Sequence, residues 1–286
     1  MSRRLLQFGS KFGTCNICGT DGPLTNDHTP PKGCVRPTVV QVKALIDAVA
    51  LDANEKTVVA RSSNGVKYRT ICSDCNNRKL GGNYDKALIR FTNAVAEIVS
   101  SPLALPSTVS IEIEPQKVMR AVFGHIAAVG VNRYQKGPHT EYLRDWFSSG
   151  MGPLPGTWKL FCWLYPNRTQ ILARDWAALD IDSDLPREQR IFPMWFMKFF
   201  PLGFMFTMNQ TPGLCLRGLA ANAKGWVNLT ELTDFGSLPP NSVATVNLSI
   251  RPAIHVEWPQ KAAEGWIIAA HGSSSIQASE WVALLK

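Results

Sequence analysis

The sequence predicts an α+β fold, and three observations predict it. Paired cysteines stand at Cys15/Cys18 and Cys72/Cys75, each pair with a two-residue gap. Several β-like runs follow residue 109, broken by only one long helical stripe. Between these parts, Ser101-Pro102 through Pro106-Ser107 reads as a linker. The expected organisation is an N-terminal module at 1–100, a linker at 101–108, and a C-terminal α+β domain at 109–286 with a mainly antiparallel sheet. A chain of 286 residues favours two domains, and 45% apolar with 18% charged residues suits a buried core rather than a disordered tail.

The first knuckle and the turn Thr20-Asp21-Gly22-Pro23 lead into a strand at Leu24–Thr29. Pro30-Pro31 stops it, because neither residue can donate to a ladder. Apolar residues at 39, 42, 45, 46 and 49 predict a helix over Val39–Ala53, inserted between the cysteine pairs. Thr57–Arg61 and Val66–Ile71 read as a hairpin around Asn64-Gly65, a strong turn signal. A short helix from Cys75 to Leu80 should end at Gly81-Gly82, and Asn83 should cap a longer one from Tyr84 to Ser100.

Beyond the linker, Val109–Glu114 alternates as a strand and Pro115–Val131 is an amphipathic helix. Strands are expected at Thr157–Tyr165, Thr169–Arg174, Ser242–Ile250 and Trp266–Ala270, with a helix at Ser275–Leu285. Ile191 to Met208 is rich in Phe, Met and Trp, but Lys198 and Pro201-Leu202-Gly203 interrupt it. A hairpin of Met194–Phe200 and Phe204–Met208 fits better than a spanning helix, so no membrane partner is expected.

A two-residue gap lets a tight turn aim both sulfurs at one ion. Two such knuckles can close a tetrahedral structural zinc site on Cys15, Cys18, Cys72 and Cys75. Seven cysteines is an odd number, and no apolar signal region follows Ser2-Arg3-Arg4. Both points lead to the expectation of a cytoplasmic protein without a disulfide framework. The formal charge is +8. Residues 1–100 hold 14 Lys and Arg against 8 Asp and Glu, so the basic excess lies with the cysteines and suits nucleic acid.

Asp27-His28 follows the first knuckle, and Asn76-Asn77-Arg78-Lys79 follows the second directly. With Leu24-Thr25-Asn26 before the Asp-His pair and Thr29-Pro30-Pro31-Lys32 after it, this order resembles the four-cysteine branch of the HNH endonuclease family. The likeness covers about a quarter of the chain, chiefly residues 12–34 and 68–90. It implies a zinc-stabilised ββα-metal module, and DNA hydrolysis that leaves a 5′-phosphate and a 3′-hydroxyl. His28 matches the general base, since a neutral imidazole can take a proton from water at physiological pH. Asp27 and Asn76 match the ligands of a catalytic Mg²⁺ or Mn²⁺. Lys32, Arg78 and Lys79 match contacts to the nucleic acid.

The likeness further implies DNA as partner, with RNA less favoured, and a role in bacterial anti-phage defence or restriction. A homodimer, and a small-molecule activator acting through the C-terminal domain, remain open partners. The alternative is a zinc-stabilised nucleic-acid-binding protein without catalysis.

Two features test the likeness. In a regular strand Asp27 and His28 face opposite sides, so both serve one centre only if the backbone twists or bulges. The family's middle Asn, which orients the histidine, has no counterpart in Val66–Ile71, and Asn64 is the nearest candidate. A rerouted contact, another orienting group and lost catalysis are the three options. His125 shares a helical face with Val118, Val122 and Val129 and reads as a packed, hydrogen-bonded histidine. Asp85 reads as ordinary acid at a helix start.

Overall fold

Two antiparallel strands and the helix that follows them frame the N-terminal part of the computed structural model. The structure describes residues 8–35, 40–44, 60–62, 64–103, 106–134, 140–156, 158–165, 170–179, 191–208, 233–239, 242–249 and 266–269. Strand β1 (Phe12–Thr14) pairs with β2 (Asp21–His28). Two further strands, β3 (Val40–Ala44) and β4 (Ala60–Ser62), precede β5 (Lys67–Cys72), which pairs antiparallel with β2. The small sheet has the order β1-β2-β5.

Register shifts once in this pair: Thr25 faces Ile71 and Asn26 faces Arg69, leaving Thr70 as the extra residue of a bulge on β5. Thr70 uses its freed hydroxyl to donate to Ala128 O at 2.6 Å. The two cysteine pairs meet because Leu24 lies opposite Cys72, so the 53 residues between Cys18 and Cys72 loop out without disturbing the register.

After β5 the chain enters a wide, π-type helix, α1 (Asp74–Tyr84), that runs directly into α2 (Asp85–Val99). The break expected at Gly81-Gly82 does not occur. The wide turns continue through both glycines, with the Asp85 N–H donating to Leu80 O. Ala87, Leu88, Phe91, Thr92 and Val95 form the buried side of α2. A two-stranded sheet follows from β6 (Thr108–Ile113) and a later strand, Ala244–Ser249.

Helix α3 (Pro115–Ala127) is central. Proline opens it at a position that lacks a helical N–H partner anyway, and every residue from Val118 to Ala127 is buried. It packs against α1 and α2 on one side and the large sheet on the other. Gly124 allows the approach: a Cβ there would come within 2.5 Å of Leu80 Cδ2 and 3.0 Å of Phe147 Cε2. Helix α4 (Thr140–Ser149), not among the elements expected above, brings Trp146 and Phe147 against Phe123.

The large sheet takes its antiparallel centre from β7 (Trp158–Leu164), β8 (Gln170–Leu179), β9 (Ile191–Phe199) and β10 (Leu202–Met208). With β11 (Thr233–Asp234), β12 (the Ala244–Ser249 strand) and β13 (Trp266–Ala269) numbered in turn, its order is β11-β7-β10-β9-β8-β13-β3-β4. Among the described residues of this sheet, only β13 pairs in parallel, with β3 and with β8. The protein is thus mixed α+β with mainly antiparallel sheets. The expected aromatic hairpin is β9–β10, and its rings form core: Trp195 stacks on Phe123 at 5.9 Å and Phe204 packs edge-on to Phe91 at 6.4 Å. Burying one such ring stabilises by about 1.5–3 kcal/mol. One continuous core includes Ile17, Tyr68 and Phe91 as well as Phe123, Trp195 and Phe204.

Two expectations for the inserted segment are corrected. Val40–Ala44 is a strand, not part of a helix, because Val-Gln-Val-Lys-Ala also satisfies a period of two and its backbone pairs with β13 and β4. Its continuation to residue 53 lies outside the described residues. Ala60–Ser62 pairs with β3, not with β5, whose partner is β2. The C-terminal helix expected at Ser275–Leu285 also lies outside the described residues. Among those described, no helix is long and apolar enough to cross a membrane.

Candidate metal centre

The first knuckle is a turn closed by two backbone bonds, from the Gly19 N–H to Cys15 O and from the Cys15 N–H to Thr20 O, both 3.0 Å. Gly19 has φ +75, and a Cβ there would meet the Tyr134 ring at 2.2 Å, so glycine is required on both counts. Asn16, inside the knuckle, is fully buried and ties it to the end of α3. It donates to Gly130 O at 2.7 Å and accepts from the Arg133 N–H at 3.0 Å. The second knuckle spans the end of β5 and the start of α1.

The ligand atoms of Cys15, Cys18, Cys72 and Cys75 all lie within 4.8 Å of one another. Cys18 and Cys72 sulfurs are 3.7 Å apart. A tetrahedron with metal–sulfur bonds of about 2.3 Å has edges of about 3.8 Å. The thiols also share charge unevenly. The hydrogen bond with Cys75 draws Cys15 down to about 5, while the same bond pushes Cys75 far up, and burial lifts Cys72 to about 11. Four sulfurs crowded in this way could hold a cation. Donor type, number and spacing fit a structural zinc ion.

At the far end of the same strand pair, alternation along β2 puts Thr25 and Asp27 on one face and His28 on the other. Asp27 is 4% exposed, whereas His28 is half-buried. The bulge expected near these residues lies earlier, at Thr25/Asn26, and on the partner strand. Asn76, in the first turn of α1, reaches the Thr25–Asp27 face. Its amide nitrogen donates to Thr25 Oγ1 at 2.9 Å and to Asn26 O at 3.0 Å. A carbonyl can only accept, so the amide orientation is set and Oδ1 points elsewhere. Among the described residues, Asn76 Oδ1 and Asp27 Oδ1 carry no hydrogen bond.

His28 Nε2 stands 3.4 Å from Asn64 Oδ1. The ring's pKa is lowered, first by burial and then by Lys67 and Lys32, against the opposing pull of Asn64 and Asp27. Asn64 meets the histidine although it lies well before the second knuckle, because the loop from β4 to β5 folds back over the end of β2.

Sequence reasoning missed three residues here. His125, from α3, places Nδ1 2.9 Å from Asp27 Oδ2 and Nε2 2.9 Å from Asp85 Oδ1. Thr29 donates to the same Asp27 oxygen at 3.2 Å. Each ring nitrogen faces a carboxylate, so each must donate and the ring is a cation. Burial opposes that charge, but Asp27 and Asp85 outweigh it and push His125 up to about 10. Its apolar helical stripe signals a packed, hydrogen-bonded histidine, and that is how it sits; nothing in the spacing reveals its partners.

Of the three basic residues, Lys32 is exposed and adds to the positive field at His28. Arg78 is exposed and paired with Asp74 one turn earlier. Lys79 lies over the Phe147 ring, 5.8 Å from its centre. Arg144 lies over the Tyr134 ring, 4.3 Å from its centre. No protein-family model, curated protein or solved structure matches this chain.

Proposed function

We propose that the protein is a metal-dependent endonuclease of the HNH type that hydrolyses phosphodiester bonds in DNA. One observation carries this reading: the Asn76 amide is tied to the Thr25–Asp27 face of β2, and among the described residues Asp27 Oδ1 and Asn76 Oδ1 carry no hydrogen bond, with His28 next in the chain on the opposite face. Asp27 and Asn76 would hold Mg²⁺ or Mn²⁺, which supplies positive charge to the phosphate and the leaving oxygen when bound. His28 takes the proton from the attacking water. Asn64 Oδ1 can only accept, so Nε2 keeps its proton there and Nδ1 carries the lone pair that acts as base.

Lys32, Arg78 and Lys79 bind flanking phosphates. Arg78 exchanges partners readily, because its pair with Asp74 one turn earlier is exposed and screened by solvent.

The second reading, a zinc-stabilised nucleic-acid binder without catalysis, is favoured by the burial of Asp27 and its bond to His125. Supercoiled plasmid incubated with the purified protein and Mg²⁺, Mn²⁺ or Ni²⁺ separates the two. Nicking or linearisation is expected, and His28→Ala should slow it about a hundredfold or more while still shifting DNA in a gel. A gel shift without cleavage in every ion overturns the nuclease.

A further inference from the structure

Behind the expected site, the bridge from Asp27 through His125 to Asp85 joins three elements that are distant in sequence. The two bonds run from opposite edges of one ring, both at 2.9 Å, and the ring is 1% exposed. Asp85 is the first residue of α2, Asp27 is on β2, and His125 is in the last turn of α3. A buried carboxylate with both oxygens free could rotate about its last bond. Asp27 cannot, because Oδ2 receives both the ring N–H and the Thr29 hydroxyl.

We infer that His125 is a positioning residue for the divalent-ion site: it engages Asp27 Oδ2, is anchored behind by Asp85, and so leaves Asp27 Oδ1 as the single oxygen offered to the ion. This rests on the reading of Asp27 as an ion ligand. The arrangement follows the general logic of outer-shell partners, which orient a ligand and whose removal weakens metal binding about ten- to hundredfold. The residue that aims the ligand therefore comes from α3, a helix lying wholly outside the cysteine-bearing segment. It also explains a buried charged ring that the core does not need for packing, since its neighbours on α3 are apolar.

The test is Mn²⁺ binding to the full-length, zinc-loaded protein, read by electron paramagnetic resonance or calorimetry in the absence of DNA. His125→Ala should weaken Mn²⁺ binding about ten- to hundredfold. His125→Gln, whose amide can still donate to Asp27, should recover most of that loss. Zinc content and the melting transition show whether each variant is folded. A folded His125→Ala protein with unchanged Mn²⁺ affinity overturns the proposal.

If that variant fails to hold zinc, Asp85→Asn decides instead. It keeps the ring but loosens its anchor, so several-fold weaker binding supports the role and unchanged binding overturns it. Asp27→Asn serves as control. Should Asp27→Asn bind Mn²⁺ as the parent does, Asp27 is not a ligand, and the nuclease reading fails before the positioning role is reached. If Asp27→Asn alone loses the ion, the reading stands and the positioning role falls.

Discussion

The two ends of the β2–β5 pair balance charge in opposite ways. At the cysteine end, four sulfurs crowd within 4.8 Å of one another, and the nearby Arg78 stays exposed beside Asp74. At the Asp27 end, the chain brings its own cation, the His125 ring, and spends it on two carboxylates. One end could be completed by an ion from solution. The other is closed on one side and keeps single oxygens of Asp27 and Asn76 unbonded. On the proposed reading, a scaffold site and an exchangeable site would lie on one strand pair without competing for the same metal, because thiolates and carboxamide or carboxylate oxygens favour different ions.

Stripping zinc should break the comparison most severely. Structural zinc contributes about 10 kcal/mol or more to a small module. Strong chelation should therefore abolish hydrogen-exchange protection in β2, β5 and α1, while the β7–β10 region keeps its own. Protection that survives throughout would mean that the core alone holds the knuckles. Next in size is Asp27→Ala, which leaves the buried ring with Asp85 alone. Removing one partner of a buried pair costs about 3–5 kcal/mol, and the remaining acid favours the low end. Urea denaturation of the zinc-loaded protein measures it, and a loss below about 1 kcal/mol would show the pair to be marginal.

The same pair has a pH signature. Its folded pKa, about 10, lies above the unfolded value of about 6.5. Its stabilisation is therefore complete below about pH 6.5 and is lost as the pH rises through about 10. Urea midpoints should fall across that alkaline range, and Asp27→Asn should flatten the fall. The smallest effect concerns His28. Its titration, followed by NMR, should have a midpoint below the usual histidine value, and Asn64→Ala should lower it further, because the bond to Asn64 raises it. A midpoint that moves up in that variant would show that Asn64 does not hold the ring.

What could be read beforehand follows the range of the interactions. Each cysteine pair is a local turn, so spacing alone announces it, and β2, β5, β9 and β10 carry clear strand patterns and breakers. Val40–Ala44 fits two periods at once, and only pairing with β13, more than 200 residues later, decides between them. Asn64-Gly65 signals a hairpin, yet β2 and β3 offer the flanking strands better partners. Asp27, His28 and Asn76 stand out by their order. Asp85 and His125 do not, since an acid at a helix start and a histidine in an apolar stripe are commonplace, and their meaning lies in a contact across 98 residues.

Gly124 adjoins that contact, and its bare α-carbon acts as a spacer of zero thickness between α3 and α1. A glycine inside a helix costs about 1 kcal/mol against alanine, a standing penalty accepted for proximity. Leu80, the side chain it admits, is fully buried and has nowhere to swing. A single methyl at this point would act as a wedge, lifting the imidazole off its acids without touching any charged group.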